Sequence, residues 1–251
     1  MVIKNHYTGF WVDWYDALAG GGSPDIELYR NLLKKSEQPV LELACGTGRM
    51  LIQFLRDGMD IDGVDLAPAM LDQCRVKLDK AGLSTNLYNQ SITELTLPGK
   101  YKTIFITGSS FQHLPTASLA MKALKGIHDH LEPGGKFLID IFIPFDDILD
   151  PSHGELIERW SVEKDNRRLA VKKSSDFDFR KQTDHQTYIY ELYEQDDLIQ
   201  SEEDHIQCKW YGVSEFEFML GKAGFVGITS KAIKQGDSGR IVTLYTAYKK
   251  E

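Results

Sequence analysis

The sequence predicts an α/β protein whose core is a doubly wound, mostly parallel seven-stranded sheet. From residue 40 to residue 143, short apolar strands alternate with amphipathic helices, a pattern typical of a parallel sheet that helices cover on both faces. Residues 155–211 have no helical period and alternate apolar with polar residues, which predicts an antiparallel β insertion after the fifth strand. We therefore expect a core of residues 1–150 and 212–251 and an insertion of residues 151–211.

The first part of the chain contains the elements of the parallel sheet. Ser23 before Pro24 predicts the start of a helix that runs to about Lys35. Gly82 is expected to end a later helix, because glycine readily adopts the left-handed conformation of a helix C-cap. Strands are predicted at Val40–Ala44, Ile61–Asp65, Thr85–Tyr88, Tyr101–Thr107 and Lys136–Ile143, and helices at Arg49–Arg56, Pro68–Lys80 and Thr116–Leu131.

The second part predicts an antiparallel sheet and then a return to the core. Turns are expected at Asp165–Asn166 and Gln195–Asp197, and Ser214 is the expected cap of a helix that ends near Lys222. Aromatic residues in the insertion indicate a packed face, a lid over a site, or a dimer interface. The antiparallel strands are predicted at Arg159–Val162, Leu169–Lys173, Phe177–Phe179, Thr187–Tyr193 and His205–Tyr211, and the final two at Gly224–Ala232 and Arg240–Lys249 around the turn 236–239.

Composition narrows the classes of partner. The formal net charge is -8, which argues against a nucleic acid held by its phosphates, because such binding needs clustered Lys and Arg. The three cysteines form neither a C-x-x-C pair nor a Cys/His zinc pattern, so we expect reduced thiols and no metal. No signal peptide is recognised, and no apolar run reaches the roughly 20 residues of a membrane helix. These features predict a cytoplasmic protein.

A glycine turn follows the first predicted strand of the sheet. Gly46 and Gly48 let the backbone approach a ligand where a Cβ would clash, and the helix that follows points free N–H groups in the same direction. In an open parallel sheet, ligands bind at the carboxyl ends of the strands. The alternative is a tight strand-to-helix turn that binds nothing.

Asp65 ends the second strand of the sheet. A carboxylate at this position can accept hydrogen bonds from both hydroxyls of a ribose, as the acid does in dinucleotide sites. The alternative is that Asp65 caps the helix that starts near Pro68. That cap would more naturally fall at Leu66 or Ala67, which leaves Asp65 available for a ligand.

The glycine spacing distinguishes between two kinds of nucleotide ligand. A dinucleotide turn has the pattern G-x-G-x-x-G, whereas here the two glycines are followed by Arg49 and Met50. Glu42 also lies within the strand, close to the turn, where a carboxylate would repel a pyrophosphate. The same carboxylate suits a ligand with an amino group or a sulfonium, or it accepts hydrogen bonds from a loop.

These motifs resemble those of the class I S-adenosylmethionine-dependent methyltransferases. The family's first motif is an acid and a glycine-rich turn, here Glu42–Gly48, and its second is the acid within Gly63–Leu71. The stretch Leu131–Phe137 matches the family's turn from helix to strand. The resemblance covers residues 40–143 and, to a lesser extent, the final helix and hairpin. It implies a Rossmann-like methyltransferase fold with S-adenosylmethionine as cofactor.

The resemblance also implies a set of cofactor-binding residues. Leu66 and Met70 are implied beside the adenine, and Tyr15 beside the methionine part of the cofactor. The full implied set is Tyr15, Glu42, Ala44, Cys45, Gly46, Gly48, Asp65, Leu66, Met70, Ser91, Ile92 and Thr107.

The sequence departs from the family at Ser91. Many members have an Asp here that contacts the adenine amino group, and a hydroxyl accepts a hydrogen bond without charge, which predicts weaker adenine binding. The backbone N–H of Ile92 is a second candidate for contact with the adenine ring. The alternative is that Ser91 is only a turn residue.

His113 is the candidate catalytic residue. Family members place groups that face substrate and cofactor at the end of the fourth strand, here Thr107–Leu114, and a histidine titrates near neutrality. His113 is therefore a candidate base for an acceptor hydroxyl or amine. The alternative is that His113 pins the loop or caps the helix near Thr116.

The sequence thus predicts methyl transfer from S-adenosylmethionine to a small-molecule acceptor. The motifs of the family's nucleobase-methylating branches, Asn/Asp-Pro-Pro-aromatic and Pro-Cys, are absent. N-, O- and C-methylation stay open, as does a homodimer. Two alternatives remain: an NAD(P)-dependent oxidoreductase on a similar sheet, and a non-catalytic domain that binds the cofactor or a partner.

Overall fold

The computed structural model describes residues 2–3, 7–19, 24–33, 38–235 and 240–251. Ser23, Lys35 and the predicted turn 236–239 lie outside these described residues. The strands are β1 Val2–Ile3, β2 Val40–Leu43, β3 Ile61–Asp65, β4 Leu87–Asn89, β5 Tyr101–Ile106, β6 Leu131–Ile141, β7 Ile157–Lys164, β8 Arg167–Asp178, β9 Thr183–Glu194, β10 Asp197–Lys209, β11 Val226–Gln235 and β12 Arg240–Tyr248. The helices are α1 Phe10–Leu18, α2 Pro24–Leu33, α3 Leu51–Arg56, α4 Pro68–Ala81, α5 Ala117–His130, α6 Phe145–Leu149 and α7 Val213–Ala223.

The chain divides into two compact units. One comprises Met1–Gly21 and Pro144–Trp210, and the other comprises Gly22–Ile143 and Tyr211–Glu251. The predicted core of residues 1–150 and 212–251 differs from this division, because the smaller unit also includes Met1–Gly21 and residues 144–150. Helix α1, which the sequence analysis did not predict, instead packs Phe10 and Trp14 among the apolar side chains of strands β8 to β10.

The larger unit is built on the seven-stranded sheet. Its strand order is β11-β12-β6-β5-β2-β3-β4. Strands β2 to β6 run parallel, whereas β12 is antiparallel to both β6 and β11. This arrangement confirms the predicted mostly parallel, doubly wound sheet.

Alternate residues of the central strands fill two hydrophobic layers. Leu41 and Ile104 face a layer that includes the apolar sides of α5 and α7. Val40 and Phe105 face a second layer that includes α2, α3 and α4. Because each buried side chain of this size contributes about 1.5–3 kcal/mol, the two layers fix the strands whose ends carry the candidate site.

The predicted ends of the helices within the described residues hold to within two residues, but the predicted cap of α7 is wrong. Gly82 is the left-handed C-cap of α4 with φ 65°, and Thr116 caps α5 through the N–H of Leu119. Ser214 is not the cap of α7, because this helix begins one residue earlier, at Val213. Its N-cap is Gly212, whose N–H donates to the carboxylate of Glu215 at 3.0 Å.

The smaller unit contains a five-stranded sheet of order β1-β10-β9-β8-β7. Asp165–Asn166 and Gln195–Asp196 form two-residue hairpin turns with positive φ, which confirms both predicted turns. Phe177–Phe179 is not a separate strand, because β8 runs continuously to Asp178. Within the described part of the chain, no helix is long and apolar enough to cross a membrane.

A close contact at Gly63 links strand β3 to the glycine turn, and its disruption is testable. A Cβ on Gly63 would lie 2.8 Å from Sγ of Cys45 and 2.9 Å from the side chain of Leu87. We expect Gly63→Ala to lower the free energy of unfolding by about 1–3 kcal/mol through overpacking. Gly99→Ala is the matched control, since nothing lies within 4 Å of its Cβ. Equal urea midpoints for the two variants would contradict this packing.

Candidate functional site

The glycine turn follows β2 at its carboxyl end. Ala44, Gly46 and Gly48 all have positive φ, at 54°, 55° and 77°. A Cβ on Gly48 would lie 2.5 Å from Sγ of Cys74 on α4, so this glycine is required by packing as well as by backbone conformation. The turn is thus packed tightly against α4.

Asp65 ends β3 and connects two loops. Its Oδ2 accepts a hydrogen bond from the N–H of Gly46 at 2.8 Å, and its Oδ1 accepts one from the N–H of Ala67 at 2.8 Å. Burial raises the pKa of Asp65, and the backbone N–H groups of Ala67, Gly46 and Leu66 oppose that rise. The N-cap of α4 is Ala67, as predicted, but Asp65 also holds the two loops together through these bonds. The carboxylate has four lone pairs, so these N–H groups leave acceptor capacity that a ribose hydroxyl can use.

Asn89 is a second brace at this edge that the sequence analysis missed. Its Nδ2 donates to the carbonyl oxygens of Asp65 at 3.0 Å and Leu66 at 2.8 Å. Leu66 is 66% exposed beside the acid, whereas Met70 is 1% exposed and packs in the interior. Of the two residues implied at the adenine, Leu66 is thus the one with free surface.

Glu42, which is buried, and Arg49, which is half-buried, lie close enough for the Arg49 charge to act on the Glu42 carboxyl. Glu42 is buried within β2, and burial raises the pKa of its carboxyl to about 8, although the Arg49 guanidinium lowers it. Among the described residues, neither Oε2 of Glu42 nor Nη1 of Arg49 has a hydrogen-bond partner. A carboxylate oxygen and a guanidinium nitrogen match the ammonium and carboxylate of an amino acid. The pair therefore fits the methionine end of S-adenosylmethionine.

Two further residues of the turn have structural contacts. Cys45 is 4% exposed, and burial raises the pKa of its thiol, which makes it a packing residue and not a nucleophile. Thr47 Oγ1 accepts a hydrogen bond from Nζ of Lys77 on α4 at 2.8 Å. The backbone of Cys45 stays in the predicted cofactor set.

Ser91 lies in a turn just after β4. Its Oγ accepts a hydrogen bond from the N–H of Thr93 at 3.2 Å and pairs with the Thr93 hydroxyl at 2.8 Å. This geometry favours the alternative that Ser91 stabilises a turn. Ile92 is half-buried against the layer that contains α5. Contact of either residue with adenine stays a prediction.

The segment Thr107–His113 follows β5 and has several anchors. Thr107 Oγ1 lies 3.4 Å from Sδ of Met50, beside the glycine turn. The Gln112 side-chain amide donates to the carbonyl oxygen of Phe142 and accepts from its N–H, both at 2.9 Å. His113 is the last residue of a 3-10 turn and is half-buried. Its role as a base stays a prediction.

Tyr15 belongs to the other unit. It lies on α1, where its ring meets that of Trp11 edge to face with centroids 5.7 Å apart. The implied contact of Tyr15 with the cofactor stays a prediction.

The chain is similar to known methyltransferases in both sequence and structure. Residues 40–135 match a family model described as a methyltransferase domain. A putative methyltransferase of Geobacillus is 23% identical over 225 residues, which cover 84% of this chain and 86% of the relative. The Streptomyces venezuelae dTDP-3-amino-3,4,6-trideoxy-alpha-D-glucopyranose N,N-dimethyltransferase is 30% identical over 101 residues, or 40% and 41% of the two chains. An S-adenosylmethionine-dependent methyltransferase structure from Clostridium acetobutylicum has TM-score 0.74 at 18% identity, covering 96% and 98%.

Residues 40–135, which carry the glycine turn, Asp65 and the segment after β5, belong to this methyltransferase family. Residues 40–135 are therefore a methyltransferase domain, and the chain has the Rossmann-like fold of S-adenosylmethionine-dependent methyltransferase structures. Neither the oxidoreductase nor the non-catalytic alternative gains support from these relatives.

Loss of the Asp65 charge is the direct test of the ribose contact. We expect Asp65→Asn to weaken S-adenosylhomocysteine binding by about 10- to 100-fold, since a charge-assisted hydrogen bond contributes ~1.5–3 kcal/mol. Asp72→Asn is the control, because Asp72 is 72% exposed on α4 and pairs with Arg75. Calorimetric titration measures both. Unchanged affinity in Asp65→Asn would remove this residue from the site.

The raised pKa of Glu42 predicts how stability depends on pH. With a folded pKa of about 8 against 4.5 for the free group, the folded protein holds the extra proton between these values. Stability therefore falls as pH rises through this window. We expect Glu42→Gln to gain about 2 kcal/mol relative to the parent between pH 6 and pH 8. Urea unfolding of the cofactor-free proteins tests this, and parallel pH curves would contradict it.

Proposed function

We propose that the enzyme transfers the methyl group to the nitrogen of a small-molecule amine. The support comes from the Streptomyces relative, whose name gives an amino sugar as its substrate and N,N-dimethylation as its reaction. That relative aligns over only 101 residues, 40% of this chain, so the nature of its acceptor is carried over here as a proposal.

One observation supports the location of this chemistry. The glycine turn, Asp65 and Thr107–His113 follow β2, β3 and β5, which are neighbouring parallel strands and therefore end at the same edge. Strand order reverses between β2 and β5, and open α/β sheets bind ligands at such a reversal. We infer that the cofactor lies across this edge.

Each part of the edge has a distinct proposed contact. Asp65 accepts the ribose hydroxyls, and exposed Leu66 packs beside the adenine. Glu42 binds the ammonium and Arg49 the carboxylate of the methionine end, through the two atoms that have no partner among the described residues. The sulfonium supplies an already activated methyl group when the cofactor is bound.

The remaining work of the chain is positioning and proton removal. A neutral amine attacks through its own lone pair and loses a proton afterwards, so orientation supplies most of the acceleration. His113 is the proposed acceptor of that proton. A phenol or alcohol, in contrast, needs a base during attack, which typically contributes 100- to 10,000-fold.

The insertion's role as a lid, substrate element or dimer interface stays a prediction. The same is true of the cytoplasmic location and of the absence of a nucleic-acid partner.

A panel of acceptors tests the proposed function. Amino sugars, glycine, a catechol and a carboxylic acid are each incubated with labelled S-adenosylmethionine, and methylated product is quantified. We expect turnover of amines, with His113→Gln reducing kcat/KM by less than about 10-fold, because the base acts after the attack. Turnover of the catechol alone, with a His113→Gln loss above about 100-fold, would contradict N-methylation.

A further inference from the structure

A buried carboxylate lies beneath the segment that follows β5. Asp140 is 1% exposed in β6. Its Oδ1 accepts a hydrogen bond from the N–H of Ser109 at 3.0 Å, and its Oδ2 accepts one from the N–H of Gly108 at 3.2 Å. The hydroxyl of Tyr29 on α2 also donates to Oδ2, at 2.8 Å. Three donors thus converge on one buried acid.

The neighbours of Asp140 show that this acid is not needed to fill the core. Leu138, Ile139 and Ile141 of the same strand are buried in the two apolar layers. Burial disfavours a carboxylate and raises the pKa of Asp140 to about 6. An apolar residue would avoid that cost but would leave the N–H groups of Gly108 and Ser109 without this acceptor.

The backbone that Asp140 holds is unusual. Gly108 and Ser109 both have positive φ, at 63° and 59°, and a non-glycine residue enters this region at an energetic cost. Consecutive N–H groups in this conformation point the same way, toward the carboxylate. The acid therefore stabilises a loop shape that the chain alone disfavours.

We propose that Asp140 is a positioning residue that holds Thr107–His113 in the shape required for acceptor binding. This inference rests on the proposed function, because it takes that segment to face the methyl acceptor. Gln112, bonded to Phe142, anchors the far end of the same segment. Asp140 anchors the near end, directly after β5.

Protonation of Asp140 should then change the stability of the loop at residues 107–113. A proton on one oxygen takes up a lone pair and removes the negative charge, which weakens the hydrogen bonds from the two N–H groups and the Tyr29 hydroxyl. The Tyr29 hydrogen bond favours the charged acid, whereas Asp25 on the same helix disfavours it. The loop should therefore loosen as pH falls through about 6.

Hydrogen exchange of the full chain tests whether Asp140 holds Thr107–His113 in place, and it requires no methyl acceptor. Rates for the peptide covering residues 107–113 are measured from pH 5 to pH 8 and corrected for intrinsic exchange. In the parent we expect protection to fall below about pH 6. Asp140→Asn should exchange at least about 10-fold faster at pH 7.5 and show no such transition. Tyr29→Phe should move the midpoint to higher pH.

Tyr101→Phe is the matched control, because the Tyr101 hydroxyl donates to Asp62 at 2.8 Å elsewhere in the same unit. It removes a comparable bond and should leave exchange of residues 107–113 unchanged. If residues 107–113 exchange at the parental rate in Asp140→Asn, Asp140 does not stabilise this segment. If that variant does not fold, an unmoved midpoint in Tyr29→Phe leads to the same conclusion.

The positioning role has its own readout. With the amine that the parent turns over, Asp140→Asn should lose at least about 10-fold in kcat/KM and lose the acid limb of the pH profile. Its affinity for S-adenosylhomocysteine should stay within about threefold of the parent. If Asp140→Asn leaves kcat/KM unchanged, Asp140 does not position the acceptor, even if hydrogen exchange shows that it stabilises residues 107–113. If no amine is methylated, the proposed function is wrong. Hydrogen exchange still tests whether Asp140 stabilises residues 107–113.

Discussion

The architecture of the site depends on the two hydrogen bonds that Asp65 accepts. One comes from Gly46 in the turn after β2 and the other from Ala67 before α4, so a single carboxylate joins the loops of two neighbouring strands. Parallel pairing of β2 with β3 brings these loops together. Gly63 allows the strands and Cys45 to pack closely enough for the bonds to form. The loop geometry is therefore set by the fold before any cofactor binds.

Two other acids near the site lower the stability of the fold because they are buried. Glu42 and Asp140 both lie between apolar neighbours on their strands, and burial raises the pKa of each. Asp140 recovers part of that cost through three donors, whereas Glu42 keeps one oxygen without a partner among the described residues. A buried polar atom of this kind destabilises the protein alone and becomes favourable only when a ligand supplies the missing partner.

Local patterns in the sequence were sufficient for part of this account. The glycine turn, Asp65 at the end of β3 and the two hairpin turns each follow from neighbouring residues, and the structure confirms their positions. Asn89, Gln112 and the Asp140–Tyr29 pair act between residues distant in sequence, so no spacing rule reveals them. A polar residue inside an apolar strand was the available signal for Asp140. The prediction that Ser214 caps α7 was wrong because the N-cap is Gly212, whose backbone N–H donates to the carboxylate of Glu215.

The central claim is that S-adenosylmethionine binds across the ends of β2, β3 and β5. A crystal structure of the full chain with S-adenosylhomocysteine tests this claim most directly. The account predicts ribose hydroxyls within hydrogen-bonding distance of Asp65, the amino-acid end at Glu42 and Arg49, and the sulfur facing Thr107–His113. A ligand bound at another edge of the sheet, or a ribose that makes no contact with Asp65, would contradict it.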